Sequence, residues 1–192
     1  MKLRKLEDKD APYMEDKDAP YMKEWMKDKK VNCFFRFDPD SVTSDSVRAF
    51  IKNSQNTNNS YHFAIADEED TYLGTVSLKN IDMDAKSGEY AIALRACAQG
   101  KGAGRFATYE ILKFAFEKLG LNRVYLNVLS DNEKAIKFYQ KIGFICEGEF
   151  YQHVYIKGEL KSLKWFRMMK DEYENLIKCP GEYIYDETSR QD

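Results

Sequence analysis

Histidine is scarce in this 192-residue chain: there are two, His62 and His153, and the four cysteines, Cys33, Cys97, Cys146 and Cys179, never form a C-x-x-C pair. That supply is too thin for a zinc knuckle, and the wide cysteine spacing argues against a disulfide framework. Basic excess is missing too. Lys plus Arg total 30 against 32 Asp plus Glu, a formal charge of −2, so nothing is left over to neutralise a phosphate backbone, and nucleic acid is not expected as a main partner. No apolar run approaches the roughly 18 residues of a membrane span, and the opening MKLRKLEDKD lacks the apolar core of a secretory signal. These absences predict a soluble, cytoplasmic protein with no metal and no membrane partner.

Apolar residues are plentiful. The chain is 43% hydrophobic and 14% aromatic, ample for one core and short for two. We expect a single domain over residues 1–179, with residues 180–192 a poorly ordered tail. Near the start, residues 7–14 and 15–22 both read EDKDAPYM. Two copies of eight residues are too few and too short for a solenoid, so this is a local duplication. Each copy offers Asp-Ala-Pro as a helix start, and only the second runs into Tyr21, Met22, Trp25 and Met26 on one helical face. A second helix is predicted over Ser41 to Ile51.

The period then changes. Tyr61 to Ala66 and Thr71 to Leu78 read as strands of a hairpin around Asp67-Glu68-Glu69-Asp70, a turn expected to be a solvated tip. A strand over Glu89 to Leu94 follows, then a mostly buried helix over Ala103 to Leu119, a strand over Arg123 to Val128, and a helix capped near Asn132 and ended by Gly143. Strands over Glu149 to Ile156 and Leu163 to Met169 and a short helix over Asp171 to Ile177 complete the pattern. Strands alternating with buried helices give an α/β layer architecture, and the hairpins make its sheet mixed.

Three of the ten glycines, Gly100, Gly102 and Gly104, fall at one strand-to-helix junction. Glycines there let a ligand approach the backbone, and the free N–H groups of a helix start form an anion cradle, which points to a phosphate-bearing cofactor. The spacing fits neither the P-loop nor the dinucleotide fingerprint, and a tight turn with no ligand remains the alternative. Gln99-x-x-Gly102-x-Gly104, followed one helix and one strand later by Asn132-Glu133-Lys134-Ala135-Ile136-Lys137-Phe138-Tyr139-Gln140-Lys141-Ile142-Gly143-Phe144, resembles the two signatures of the GNAT superfamily of N-acetyltransferases. Glu147-Gly148-Glu149 and the closing strand pair are similar to the branch of ribosomal-protein N-terminal and spermidine acetyltransferases.

That resemblance implies a three-layer α/β fold, with a mixed central sheet, a splayed strand pair and helices on both faces. It implies acetyl-CoA as cosubstrate, with pantetheine along Ile92, Ala93 and Leu94. The pyrophosphate would lie over Gln99, Gly100, Lys101, Gly102, Ala103, Gly104 and Arg105, and Asn132 near the pantetheine. Tyr139 falls where the family places its general acid, with a core tyrosine as the alternative. Glu89, entering the strand that feeds the loop, is the best-placed base. Cys97 and Cys146 have no neighbouring histidine in sequence, so an acyl-cysteine route is rejected. His62 and His153 read as structural, although either could line the acceptor cleft.

The implied reaction is direct attack of a primary amine on the thioester. The acceptor window, residues 23–60, holds Glu24, Asp28, Asp38, Asp40 and Asp45 against Lys23, Lys27, Lys29, Lys30, Arg36, Arg48 and Lys52, a balance of +2. This favours an amino sugar or another small neutral or anionic amine over a polyamine. A peptide N-terminus and a polyamine are the alternatives, and a non-catalytic acetyl-CoA-binding protein is the rival of another class. A homodimer is compatible with all of these.

Overall fold

Alternating apolar side chains in Tyr61–Ala66 (β2) and Tyr72–Asp82 (β3) commit each strand to two different faces. Tyr61 and Phe63 place their rings 4.9 and 5.5 Å from Phe114. The intervening His62 points the other way and meets Phe50 at 4.9 Å. Phe50 belongs to helix α1, Ser44–Ser54, so helices cover both faces, as expected. The computed structural model describes residues 1–10, 43–54 and 59–178. The helix expected after the second octapeptide, most of the acceptor window and the tail lie outside these residues.

Strand β1, Lys2–Lys5, opens a seven-stranded sheet ordered β1-β2-β3-β4-β5-β7-β6. β4 is Ser87–Leu94, β5 Arg123–Leu129, β6 Ile145–Ile156 and β7 Glu159–Met169. Every neighbouring pair is antiparallel except β4 and β5, which run parallel. Helices α2 (Ala103–Lys113), α3 (Glu133–Ile142) and α4 (Lys170–Lys178) join one core cluster with Val76, Leu78, Tyr90, Leu126 and Phe166.

Three expectations are corrected. The helix predicted through Leu119 is α-helical only to Lys113; Phe114–Lys118 form a π-turn in which the Leu119 N–H reaches back to the Phe114 carbonyl at 3.1 Å. The Asp67–Asp70 tip is not merely solvated, since Asp70 accepts from Arg4 Nε at 2.9 Å and pairs with Lys2 and Lys9, fastening β1 to the hairpin. β6 starts at Ile145 and not at Glu149. It is an edge strand exposed along nearly its whole length, so no alternation marks its beginning.

Candidate functional site

The parallel ladder between β4 and β5 holds only three pairs, Ser87 with Arg123, Gly88 with Val124 and Glu89 with Tyr125. Beyond them β4 stays paired to β3 as far as Leu94, and β5 stays paired to β7 as far as Leu129. The two strands therefore diverge into a slot. Tyr139 from α3 spans its inner side, with its ring 6.0 Å from Tyr90 of β4 and 6.3 Å from Phe166 of β7. Ile92, Ala93 and Leu94 are left with main-chain groups on an edge that β5 does not cover, ready to pair with an extended polar chain. Here the structure brings these three residues together with the loop that follows them.

At the mouth, Ala96–Ala98 form a 3₁₀ turn that takes up the Gln99 N–H at 3.2 Å from Ala96 O. Gln99 therefore brings its side chain, and not its amide N–H, to the cradle expected from the sequence. Gly100 and Gly102 have φ of 75° and 84°, left-handed values that strain an L side chain. Gly102 caps α2 with no side-chain hydrogen bond, so no cap side chain takes up the first N–H groups of that helix, an arrangement that suits an anion. Gly104 has another role. A Cβ there would lie 3.2 Å from Leu94 Cδ1 and 3.5 Å from Phe138 Cζ, so this glycine lets α2 seat closely on β4 and α3. Lys101 is exposed at the loop, and the Arg105 guanidinium lies 5.9 Å over the Tyr109 ring.

Glu89 sits at the point where the ladder ends. Its carboxylate accepts from Asn80 Nδ2 at 2.8 Å and Asn127 Nδ2 at 3.4 Å and pairs with Lys79 Nζ at 3.1 Å. Because Tyr90 turns toward Tyr139, side-chain alternation directs Glu89 to the opposite face of the sheet. A carboxylate and a phenol thus flank the closed end of the slot from its two faces. Burial pushes the Tyr139 phenol above its ordinary range, so it is protonated at neutral pH. Asn132 Oδ1 accepts the Ala135 N–H at 3.2 Å and caps α3.

On the Glu89 face, Tyr125 stacks on Trp165 with centroids 6.0 Å apart, and Trp165 meets Phe150 at 5.4 Å. His62 Nδ1 lies 2.8 Å from Ser77 Oγ on the same face. Burial, and secondarily the Lys79 charge, lower its pKa. His153 packs on Phe150 of the edge strand β6, 5.1 Å between ring centroids. Cys97 and Cys146 are free and exposed. Among the described residues no group of three metal-ligating side chains is assembled, and no helix is long and apolar enough to cross a membrane. Asn80, Asn127 and Lys134 are site neighbours that the sequence reading missed. Asn127, a lone amide inside the apolar Val124–Leu129 strand, was the one detectable signal.

Residues 3–145 match the acetyltransferase (GNAT) domain family. The spermidine N(1)-acetyltransferase of Vibrio cholerae serotype O1 is 30% identical over 113 residues, 59% of this chain and 65% of that protein. Acetyltransferase PseH of Campylobacter jejuni (strain 81-176) is 32% identical over 115 residues, 59% of this chain and 69% of its own. The match thus spans slightly under two thirds of the Vibrio protein. In three dimensions, the crystal structure of spermidine N-acetyltransferase from Vibrio cholerae in complex with CoA and spermine superposes with a TM-score of 0.79. It is 24% identical, covering 91% of this chain and 98% of that one.

Proposed function

The chain belongs to the GNAT acetyltransferase family, and from that premise we propose that it moves an acetyl group from acetyl-CoA to a primary amine by direct attack. The observation that carries this reading is the three-pair β4–β5 ladder, which opens a slot directly onto the uncapped, glycine-bearing start of α2. In the reading, pantetheine pairs along Ile92, Ala93 and Leu94, and the diphosphate rests at Gly100 to Arg105. The residues present fit such a cosubstrate: an unpaired strand edge for its amides and a helix start for its anion.

The amine must first be neutral. At a pKa of about 10.4 that costs about 4.6 kcal/mol at pH 7. Glu89 is the group to receive its proton, directly or through water. Tyr139, held protonated by burial, hydrogen-bonds to the departing sulfur and passes its proton there as the amide-forming nitrogen gives up its own to the phenol, since a phenol is a weaker acid than a thiol of pKa about 8.5 and needs that resupply. Asn132 fixes the start of the helix that carries Tyr139.

Two acceptor classes have support. A polyamine is favoured by the similarity to the Vibrio spermidine N(1)-acetyltransferase and by a carboxylate beside the stacked Tyr125 and Trp165 rings, which suit a cation. An amino sugar or other small amine is favoured by the +2 balance of residues 23–60. The test is release of free thiol from acetyl-CoA with polyamines, peptide N-termini, and free and nucleotide-linked amino sugars. Tyr139→Phe should cut turnover on the best acceptor about 10²- to 10⁴-fold with CoA binding kept, and Glu89→Gln should shift the pH–rate profile. Binding of acetyl-CoA with no turnover on any amine would favour the non-catalytic rival.

A further inference from the structure

Lys79 and Asn80 are consecutive in β3, so a regular strand would turn them to opposite faces. Here both reach one carboxylate: Lys79 Nζ lies 3.1 Å from Glu89 Oε1, and Asn80 Nδ2 donates to Oε2 at 2.8 Å. A bulge makes this possible. The ladder with β4 pairs Lys79 with Glu89, then shifts and resumes at Asp82 opposite Ser87, and Asn80 takes a left-handed φ of 51°, a conformation that asparagine tolerates. With Asn127 Nδ2 at 3.4 Å from Oε1, three donors from two strands enclose the carboxylate, whose side chain is 15% exposed. A carboxylate offers about four lone-pair sites, so room is left for roughly one more donor. Its charge is also already matched by the Lys79 ammonium. Two further carboxylates around this row are engaged as well: Asp82 accepts the Asp84 and Ala85 N–H groups at 2.9 and 2.8 Å, and Glu147 is taken up by Arg123 and by Arg167, which lies opposite Tyr125. His62, on the same face, is kept neutral by burial and by the Lys79 charge.

We infer that Lys79 is a specificity-determining residue of the acceptor site. It supplies Glu89 with the positive charge that a polycationic substrate would otherwise bring, so an amine carrying further ammonium groups is repelled, while one whose neighbouring groups are neutral or anionic is admitted. The remaining place on Glu89 serves the reacting nitrogen. The inference rests on the acetyltransferase reading above and deepens it by assigning the acceptor class, a monoamine with neutral or anionic substituents rather than a polyamine.

Amines of one chain length that differ only in the group at the far end test it: 1,4-diaminobutane, 4-amino-1-butanol and 4-aminobutyrate, each supplied to the full chain with acetyl-CoA. The readouts are the ratio of kcat/KM between acceptors, from thiol release, and the matching ratio of affinities for the CoA-loaded protein by calorimetry. Wild type should prefer the alcohol and the carboxylate to the diamine. Lys79→Met and Lys79→Gln should move both ratios toward the diamine by about 5- to 20-fold, and Lys79→Glu further. Lys79→Arg should keep the wild-type order, and Lys113→Met, as a remote control, should stay within about twofold of wild type. Each ratio is taken within one protein, so a general loss of stability or activity cancels. The assignment is overturned by a wild type that prefers the diamine, by unchanged ratios in Lys79→Met and Lys79→Gln, or by Lys79→Arg behaving like Lys79→Met. Amine binding in the expected order with no thiol release from any acceptor would instead strike the acetyl-transfer reading and leave the assignment of Lys79 standing. Absence of both binding and release would overturn the two together.

Discussion

His62 shows how a single side chain reports on the Glu89 face. Its ring is held between Phe50 and Ser77, and burial first, then Lys79, keeps its pKa below the ordinary value of 6.5. The folded state therefore prefers the neutral imidazole. That contribution to stability is complete above about pH 6.5 and is lost as pH falls through the lower folded pKa. His62→Gln should flatten the decline of the unfolding midpoint between about pH 7 and 5, read by thermal denaturation at fixed ionic strength. A decline as steep as in wild type would remove His62 as its source. Glu147, whose pKa is lowered mainly by the Arg123 hydrogen bond, and Asp70, lowered by Lys9, Lys2 and Arg4, act in a more acid window, below ordinary carboxylate values. Tyr139 packs among Tyr90, Phe144 and Phe166, the core placement weighed from sequence, and that burial also holds the proton on which the proposed general-acid role depends.

At the scale of elements, the loop between β4 and α2 depends on backbone shape more than on side chains. A Cβ at Gly102 would meet nothing within 4 Å, yet φ there is 84°. A branched residue is disfavoured by its own backbone and would fill the space left for a ligand. Gly102→Val should therefore lower the midpoint of the free protein and lose the stabilisation by acetyl-CoA, which for wild type is about 2.7 kcal/mol at a hundredfold excess over Kd. Equal ligand-induced shifts in both proteins would take the diphosphate off this loop. The glycine cluster and the strand-to-helix change of period made this element legible in the sequence. The splay of β4 from β5 came only with the family resemblance, because the point at which a ladder between distant strands stops is a matter of register that a one-dimensional pattern does not hold. Nor did it separate the roles of the glycines: Gly102 serves backbone conformation, Gly104 close packing against Leu94 and Phe138. Glu89 was legible as a carboxylate at a strand start. Its partners Asn80, Asn127 and Lys79 come from three different strand positions and become neighbours only through register.

For the whole molecule, the duplicated octapeptide poses a question of connection. The first copy is structural at its Asp10, which is 1% exposed. Its carboxylate takes Arg4 Nη1 and Nη2 at 2.7 and 2.8 Å and the Glu7 N–H at 2.9 Å, while Arg4 also holds Asp70 of the β2–β3 tip. This knot ties the first strand and the hairpin to the chain that leads toward the acceptor window. The two copies are identical, so deleting residues 7–14 or residues 15–22 yields one and the same shorter sequence. In that sequence EDKD still follows Leu6, and an aspartate still arrives six residues after Arg4. Among the described residues, the knot draws on this EDKD segment alone from the repeat. The single-copy protein should keep its unfolding midpoint within about 4 °C of the parent, a change of roughly 1 kcal/mol or less, and should bind CoA unchanged. Replacing its one Asp10 equivalent with Ala should then destabilise it by about 3 kcal/mol in urea titration, since Arg4 loses its buried partner. Loss of folding on deletion of a single copy would show that the second octapeptide supports the domain in its own right.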